Sequence, residues 1–358
     1  MLPSSITSAE LFARGGKHMA LMKPAEVSYG SDAHGLVWGY FFAPEQPPQS
    51  IGCDAALQWL KAPPAGSSEF IWLHLSLSNV AAERWMRESL ELSEAFFDSL
   101  RENSGSTRLE LEGDALIASI HDALFNTSFD SANISTVNIW MGPRLVVSAR
   151  LRPLRSVDRL RAAVKSGQPL RSSAELLAQL LREQAAVLVD IVRQSTARVD
   201  SVEDKLLANR VSVSRSELSA LRRSLVRLQR LLAPEPAALF RLLNRPPQWL
   251  SEEDLRDLRQ AAEEFSAAVT DCGALTERLK LLQEELTATV EEQTNRTLFI
   301  LTLVTVLALP VNLVTGLLGM NVGGIPLQQH SHGFAIVVGT LTLITCVLAY
   351  VVHIRRRD

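Results

Sequence analysis

The sequence predicts a membrane protein: an N-terminal α/β domain, then long stalk helices, then a hairpin of two transmembrane helices. Three observations predict it. Residues 297–354 contain no Asp, Glu, Lys or Arg, a run of 58 in a chain where 21% of residues are charged. That run divides into "TLFILTLVTVLALPVNLVTGLL" (Thr297 to Leu318) and "GFAIVVGTLTLITCVLAYVV" (Gly333 to Val352), each close to the roughly 20 residues that cross a ~30 Å hydrocarbon layer. The pattern ahead of the run changes near residue 170 from strand-like to helical.

Taken in order, the apolar or alternating runs "GLVWGYFFA" (Gly35 to Ala43), "FIWLHLSL" (Phe70 to Leu77), "ALIASIHDALF" (Ala115 to Phe125) and "VNIWMGPRLVVSA" (Val137 to Ala149) read as strands. The last carries a Gly142-Pro143 turn signal. Between and after them "AAERWMRESL" and "VDRLRAAV" read as helices, which makes residues 1–170 an α/β domain. A helical stalk occupies 171–296. Its first helix runs from Ser172 to about Asn209, its second from Ser214 to about Leu232, and its third starts near Ser251. In "SEED" Ser251 is the N-cap, Asp254 sits near the capping-box position, and the acids favour the positive end of the helix dipole. No proline follows until Pro310 and only Gly273 weakens the run. The third helix therefore continues into the membrane, about 100 Å from Ser251 to Leu318 at 1.5 Å per residue. The first span is 297–319, the outer loop 320–332, the second span 333–352 and a basic tail 353–358.

Charge placement sets orientation and excludes partners. Arg296 precedes the first span and Arg355, Arg356 and Arg357 close the second, while the loop from Met320 to His332 has neither Lys nor Arg. The positive-inside rule then puts both termini in the cytoplasm and the loop outside. The expected location is the inner (plasma) membrane, as a multi-pass protein. Near Lys17 and Lys23 there is no apolar h-region, so no signal peptide is expected. A net charge of −3 argues against nucleic acid, which needs clustered Lys and Arg. Cys53, Cys272 and Cys346 are widely spaced and suggest neither a disulfide framework nor a zinc knuckle. A soluble protein with a buried hairpin is the competing reading, and two segments of full membrane length weigh against it.

Steps of three and four along the first span collect Asn295, Leu298, Thr302, Thr305, Leu309, Asn312, Gly316 and Gly319 on one seam. Other faces are Leu, Val, Ile, Phe and Ala. Small residues such as Gly316 and Gly319 also serve close helix packing. Packing alone leaves two amides and two hydroxyls on that seam without a reason, because membrane-embedded amides face protein or water. A pore wall of amide and hydroxyl oxygens, with Leu298 and Leu309 as apolar constrictions, accounts for them. Carried backwards, the register meets Glu291, Glu284, Glu277 and Glu263. From Glu252 to Arg296 there are twelve acids and five bases. Such a face is commonly just solvated, but around a shared axis it would concentrate cations at the pore mouth. The opposite stripe, Leu275, Leu279, Leu282 and Leu286, is a packing face.

These residues carry a family resemblance. "ALPVNLVTGLLGMNVGGIP" (Ala308 to Pro326) resembles the first span and Gly-Met-Asn signature loop of the CorA superfamily of divalent-cation transporters. Its "VGGIP" is similar to the ZntB-like zinc transporter branch. The likeness extends over the coarse architecture, apart from the N-terminal 30 residues. It implies a homopentamer with a funnel-shaped cytoplasmic assembly, first spans lining the pore and second spans outside them. It also implies an entry site at Gly319, Met320 and Asn321 holding a hydrated cation. No resident cofactor is implied; the divalent ion, zinc by this resemblance, is cargo.

Physical chemistry suits that role, since conduction needs binding weak enough to release and ringed amides can contact an ion's water shell without trapping it. Zinc prefers nitrogen and sulfur ligands, which directs attention to His330 and His332, although two histidines in a polar loop are more often incidental. Some members of the superfamily carry an acid in this loop; here Met320 to His332 has none. Magnesium, cobalt or nickel transport is the alternative within the superfamily. An enzyme is not expected: there is no Gly-rich phosphate loop, HExxH or GxSxG, and His74 and His121 lie in strand-like runs. A membrane-anchored scaffold or sensor explains two spans and long helices, but neither Asn312 nor the Gly-Met-Asn turn.

Overall fold

The computed structural model describes residues 31–62, 68–101, 107–123, 134–207, 215–320 and 331–355. Seven strands form one mixed sheet in the order β2-β1-β3-β7-β6-β5-β4. They are β1 (Leu36–Phe42), β2 (Gln49–Ser50), β3 (Phe70–Ser76), β4 (Arg108–Glu112), β5 (Ala115–Ala123), β6 (Ile134–Met141) and β7 (Leu145–Arg150). Only β3 and β7 pair in parallel; every other neighbour is antiparallel. The expected Gly142-Pro143 turn is the β6–β7 connection, where Gly142 N–H donates to Leu145 O at 2.9 Å.

Helices cover both faces of the sheet. One face packs α1 (Cys53–Lys61), α2 (Val80–Ser89) and α3 (Glu94–Arg101) around Ile71, Leu73, Val147 and Met86. The other buries Trp72, Ile120, Ile139 and Val146 against α4 (Arg155–Lys165), α5 (Ser173–Leu207), α7 (Pro234–Leu243) and the start of α8 (Glu252–Leu318). Alternation along each strand supplies the two apolar faces. Helix α6 (Arg215–Leu232) and the last helix, α9 (Gly333–Arg355), complete the described elements. The chain divides into two compact units, one up to Leu281 and one from Leu282.

The main strands and helices fall where the sequence places them, and α8 is unbroken over 67 residues. Its start is a reciprocal cap: Ser251 Oγ accepts from Asp254 N–H at 3.1 Å and Asp254 Oδ2 from Ser251 N–H at 3.1 Å. Gly273 has a local reason, because a Cβ there would lie 2.7 Å from Gln229 Nε2 on α6. Leu275, Leu279, Leu282 and Leu286 are buried, as a packing stripe requires. The structure adds α1, α3, α7, β2 and β4, which the apolar pattern of the sequence does not mark. Helix α7 begins with Pro234, whose fixed φ suits the first helical turn and whose missing N–H costs nothing there.

Two buried polar networks fasten this first unit. His74 is fully buried and stacks on Trp38 at 4.0 Å. Arg150 Nε donates to His74 Nε2 at 2.6 Å, so His74 Nδ1 carries the proton and donates to Ser148 Oγ at 2.7 Å. Burial, and then the cations Arg150 and Arg161, hold His74 well below the usual histidine range. In the second network Glu235 of α7 accepts from His121 N–H at 2.8 Å and from Gln184 Nε2 of α5 at 2.7 Å. Asp122 next door accepts from Ser156 N–H and Ser156 Oγ at 2.8 and 2.6 Å. Burial raises both carboxyls, Asp122 to about 6. The two strand histidines are thus held inside the sheet, as their positions suggested.

Candidate ion pathway

Two of the described helices are long and apolar enough to cross a membrane: the C-terminal part of α8, and α9 over Gly333–Tyr350. Leu and Val side chains elsewhere in α8 would be held by a core; here they stand largely exposed within the single chain. Half-buried positions along the first span are Leu303, Leu307, Pro310, Val311, Val314 and Leu318; on α9 they are Val337, Leu341, Thr345 and Leu348. Each set recurs at steps of three and four and so marks one stripe.

The polar seam lies on the far side. Asn295, Leu298, Thr302, Thr305, Leu309, Asn312, Gly316 and Gly319 are all exposed, and at 100° per residue their mean direction is roughly 180° from the half-buried stripe. Leu298 is 54% and Leu309 65% exposed, so the two apolar positions of the seam are as uncovered as its polar ones.

Hydrogen bonding separates most of the polar seam from the rest of the hairpin, Thr305 being the seam residue that follows the hairpin's pattern. Thr297, Thr305, Thr315, Thr340, Thr342 and Thr345 each return the hydroxyl to a carbonyl four residues back, at 2.8–2.9 Å. Such back-bonding hides a hydroxyl from lipid. The side chains of Thr302, Asn312 and Asn295 make no hydrogen bond to any described residue. An amide left without a partner in hydrocarbon costs several kcal/mol. The seam therefore calls for water, an ion or another chain.

Glu263, Glu277, Glu284 and Glu291 are exposed along the same register. Glu277 lies 3.8 Å from Lys280, an exposed i,i+3 pair; the other three form no ion pair with a described residue. At the far end Gly319 N–H donates to Thr315 O at 2.9 Å and Met320 is 52% exposed. A Cβ on Gly319 would meet the Thr315 carbonyl at 3.1 Å, tighter than ordinary contact. Asn321 and His330 lie outside the described residues. His332 is exposed, its Nδ1 2.9 Å from Ser331 Oγ. Among the described residues no group of three or more His, Cys, Asp or Glu side chains is placed to hold a metal.

A mixed α/β unit, an unbroken long helix and a C-terminal pair of hydrophobic helices with a polar seam define the class: an ion-transport protein built around that long helix. The family described as CorA-like Mg2+ transporter protein matches residues 67–356. The chain belongs to that family, which consists of divalent-cation transporters and not of enzymes. It is 29% identical over 310 residues to the divalent cation transporter CmaX of Pseudomonas aeruginosa, covering 85% of this chain and 91% of that one. It is 25% identical over 264 residues to the zinc transport protein ZntB of Yersinia enterocolitica, covering 74% and 80%. The full-length CmaX structure superposes with a TM-score of 0.76 at 26% identity, over 92% of this chain and 99% of that one. The complete CorA magnesium transporter structure from Methanocaldococcus jannaschii shares the fold, with a TM-score of 0.71 at 18% identity over 88% and 96%.

Proposed function

We propose that copies of this chain assemble as a homopentamer around a central pore lined by the first span, and that the pore conducts a divalent cation, zinc, across the inner membrane. The observation that carries it is the seam of Thr302 and Asn312, exposed, without partners among the described residues and turned away from the half-buried stripe. Placed around a common axis, that seam becomes a wall of amide and hydroxyl oxygens facing water. Leu298 and Leu309 then form apolar rings that pass a hydrated ion poorly and give the pore its narrow points.

Cation selection follows from charge placement. The exposed acids Glu263, Glu277, Glu284 and Glu291 sit on the helix that leads into the span, where they raise local cation concentration. With both termini cytoplasmic, as the arginines around the spans favour, those acids face the cytoplasm and the neutral 320–332 loop faces outward. Gly319, Met320 and Asn321 form the entry, a carboxamide ring that contacts the ion's water shell. The division of labour is then an α/β domain over 1–170, a stalk over 171–296 and the hairpin beyond it.

Zinc is favoured by the ZntB relatives and by the softer donors of the loop, His330, His332 and Met320. Magnesium, with cobalt or nickel, is the second reading, favoured by the family's own description and by the oxygen-only seam. Flux into proteoliposomes decides, run with zinc, magnesium, cobalt and nickel in parallel for the wild type and Asn321→Ala. Zinc entry above empty vesicles, reduced at least about ten-fold by Asn321→Ala, is the expected result. Absence of flux for all four ions would sink the transporter reading, and magnesium flux without zinc flux would replace the cargo.

A further inference from the structure

Away from the pathway, one face of the sheet changes character along two strands. On β5 the side chains directed to the α1–α3 face run Ile117, Ser119, His121, and on the paired β6 they run Trp140, Asn138, Thr136. Apolar residues lie under the helices, and polar ones lie where the helical cover ends. There a cavity of about 640 Å³ opens between β5, β6, the first turn of α2, the end of α3 and the C-terminal half of α6. That volume is in the range of small-molecule sites, ~300–1,000 Å³.

Its lining is divided chemically. Leu77, Val80, Leu100, Leu151 and Leu231 supply apolar walls, and two of them are unusually bare for a folded unit, Val80 at 87% and Leu151 at 56% exposed. The floor is polar: Ser119 Oγ donates to Asn138 Oδ1 at 2.8 Å, both residues buried. With its oxygen so engaged, Asn138 has its amide N–H groups left to donate, and no described residue accepts them.

The charges that line it are two guanidinium groups, Arg101 and Arg227, and one carboxylate, Glu83. Glu83 is already claimed by Arg87 at 3.3 Å and Arg101 at 3.0 Å. Arg227 forms no ion pair or hydrogen bond with a described residue. The N-terminal turn of α2, a ten-residue helix capped by Asn79, adds its positive end to the same rim. A cation would find no free carboxylate here, whereas an anion would meet a free guanidinium and amide donors.

We infer that this cavity is a binding site for a small organophosphate of mononucleotide size. Its phosphate pairs with Arg227 and its ring body lies between the apolar walls. The site is separate from the ion pathway, and nothing in the transport reading requires it. It gives the first unit a means of sensing a soluble metabolite.

The test is equilibrium dialysis of radiolabelled AMP against the full-length protein in detergent, with adenosine, ribose 5-phosphate and inorganic phosphate as competitors. Saturable binding of AMP is expected, weakened about ten- to a hundred-fold by Arg227→Gln. Arg223→Gln, on the same helix but away from the lining, leaves it unchanged. Leu151→Trp, an exposed rim position, narrows the mouth and weakens AMP binding without touching the phosphate contact. Inorganic phosphate and adenosine each compete only weakly, because each fills one half of the site. Ribose 5-phosphate, which lacks the base, competes less well than AMP; equal competition would show that the apolar walls hold no ring and would overturn the inference. No saturable binding up to roughly 10 mM, equal binding by Arg227→Gln, or inorganic phosphate competing as well as AMP would overturn the inference.

Discussion

Around His74 both ring nitrogens find partners inside the chain, whereas along the first span the side chains of Thr302 and Asn312 find none among the described residues. Both regions set polar groups in apolar surroundings, yet the fold treats them oppositely. In the sheet a stacked indole, a guanidinium and a hydroxyl close the histidine off, and the polar group holds strands together. In the span Thr297, Thr305 and Thr315 are satisfied through their own backbone, while Thr302 and Asn312 find no partner among the described residues. A polar group satisfied by its own chain is architecture; one left open in an apolar helix points to something outside the chain.

The largest effect expected from breaking that contrast is in the core. His74→Phe keeps the ring shape but strands Arg150 Nε, while Ser148 Oγ keeps Trp72 Nε1 as a partner at 2.7 Å; a buried polar group without its partner costs roughly 1–3 kcal/mol, more when charged. Thermal unfolding followed by tryptophan emission, to which Trp38 and Trp72 contribute directly, should show a loss of about 3 kcal/mol, with cation flux per folded protein unaltered. An equal loss of flux per folded protein would show that the core is part of the pathway.

Next in size are opposite pH responses within the same unit. Asp122 has a folded pKa of about 6 against 3.8 in the ordinary state. The native protein keeps a proton there that the unfolded chain has lost. This contribution is fully present below pH ~4 and is lost as pH rises through about 6, on the order of 2–3 kcal/mol. Glu235, also raised by burial, acts with the same sign. His74, depressed by burial and by Arg150, works the other way. Its contribution is present above the ordinary 6.5 and is lost as pH falls below it, because the unfolded imidazole takes up the proton first. Stability measured from pH 4 to 8 in Asp122→Asn should rise more steeply with pH than in the wild type. A profile that Asp122→Asn leaves unchanged would contradict the assignment.

Smaller still is the effect of the stalk acids. Glu277→Gln combined with Glu284→Gln should lower cation flux about two- to five-fold at low ionic strength. The effect should fade near 0.5 M salt, since field effects between exposed charges are screened beyond a few ångström there. An effect that persists at high salt would make these side chains direct ligands.

Legibility in the sequence followed the range of the interaction. The spans were readable because a 58-residue absence of charge is a local property, and the seam because steps of three and four need only helix geometry. The start of α8 was readable from Ser251 and Asp254, which bond each other within one turn. Helix α7 is hard to read from sequence because two prolines, Pro234 and Pro236, stand in its first turn, although the first sits where a proline is tolerated. Glu235 between them gave no sign of its partners, His121 and Gln184, which lie 114 and 51 residues away. The cavity beside Arg227 was hidden for the same reason. Its polar floor comes from two strands whose alternation reads as ordinary until their pairing brings Ser119 opposite Asn138.

The central claim is that the seam is open because it faces the ion's path. It is tested most directly by zinc flux through proteoliposomes of Asn312→Leu beside Thr342→Val, each checked for unchanged assembly mass. Asn312→Leu should reduce flux at least about ten-fold, while Thr342→Val, whose hydroxyl is satisfied by Val338 O at 2.8 Å, should stay within about two-fold of the wild type. Full flux through Asn312→Leu, or an equal loss in both variants, would contradict the account.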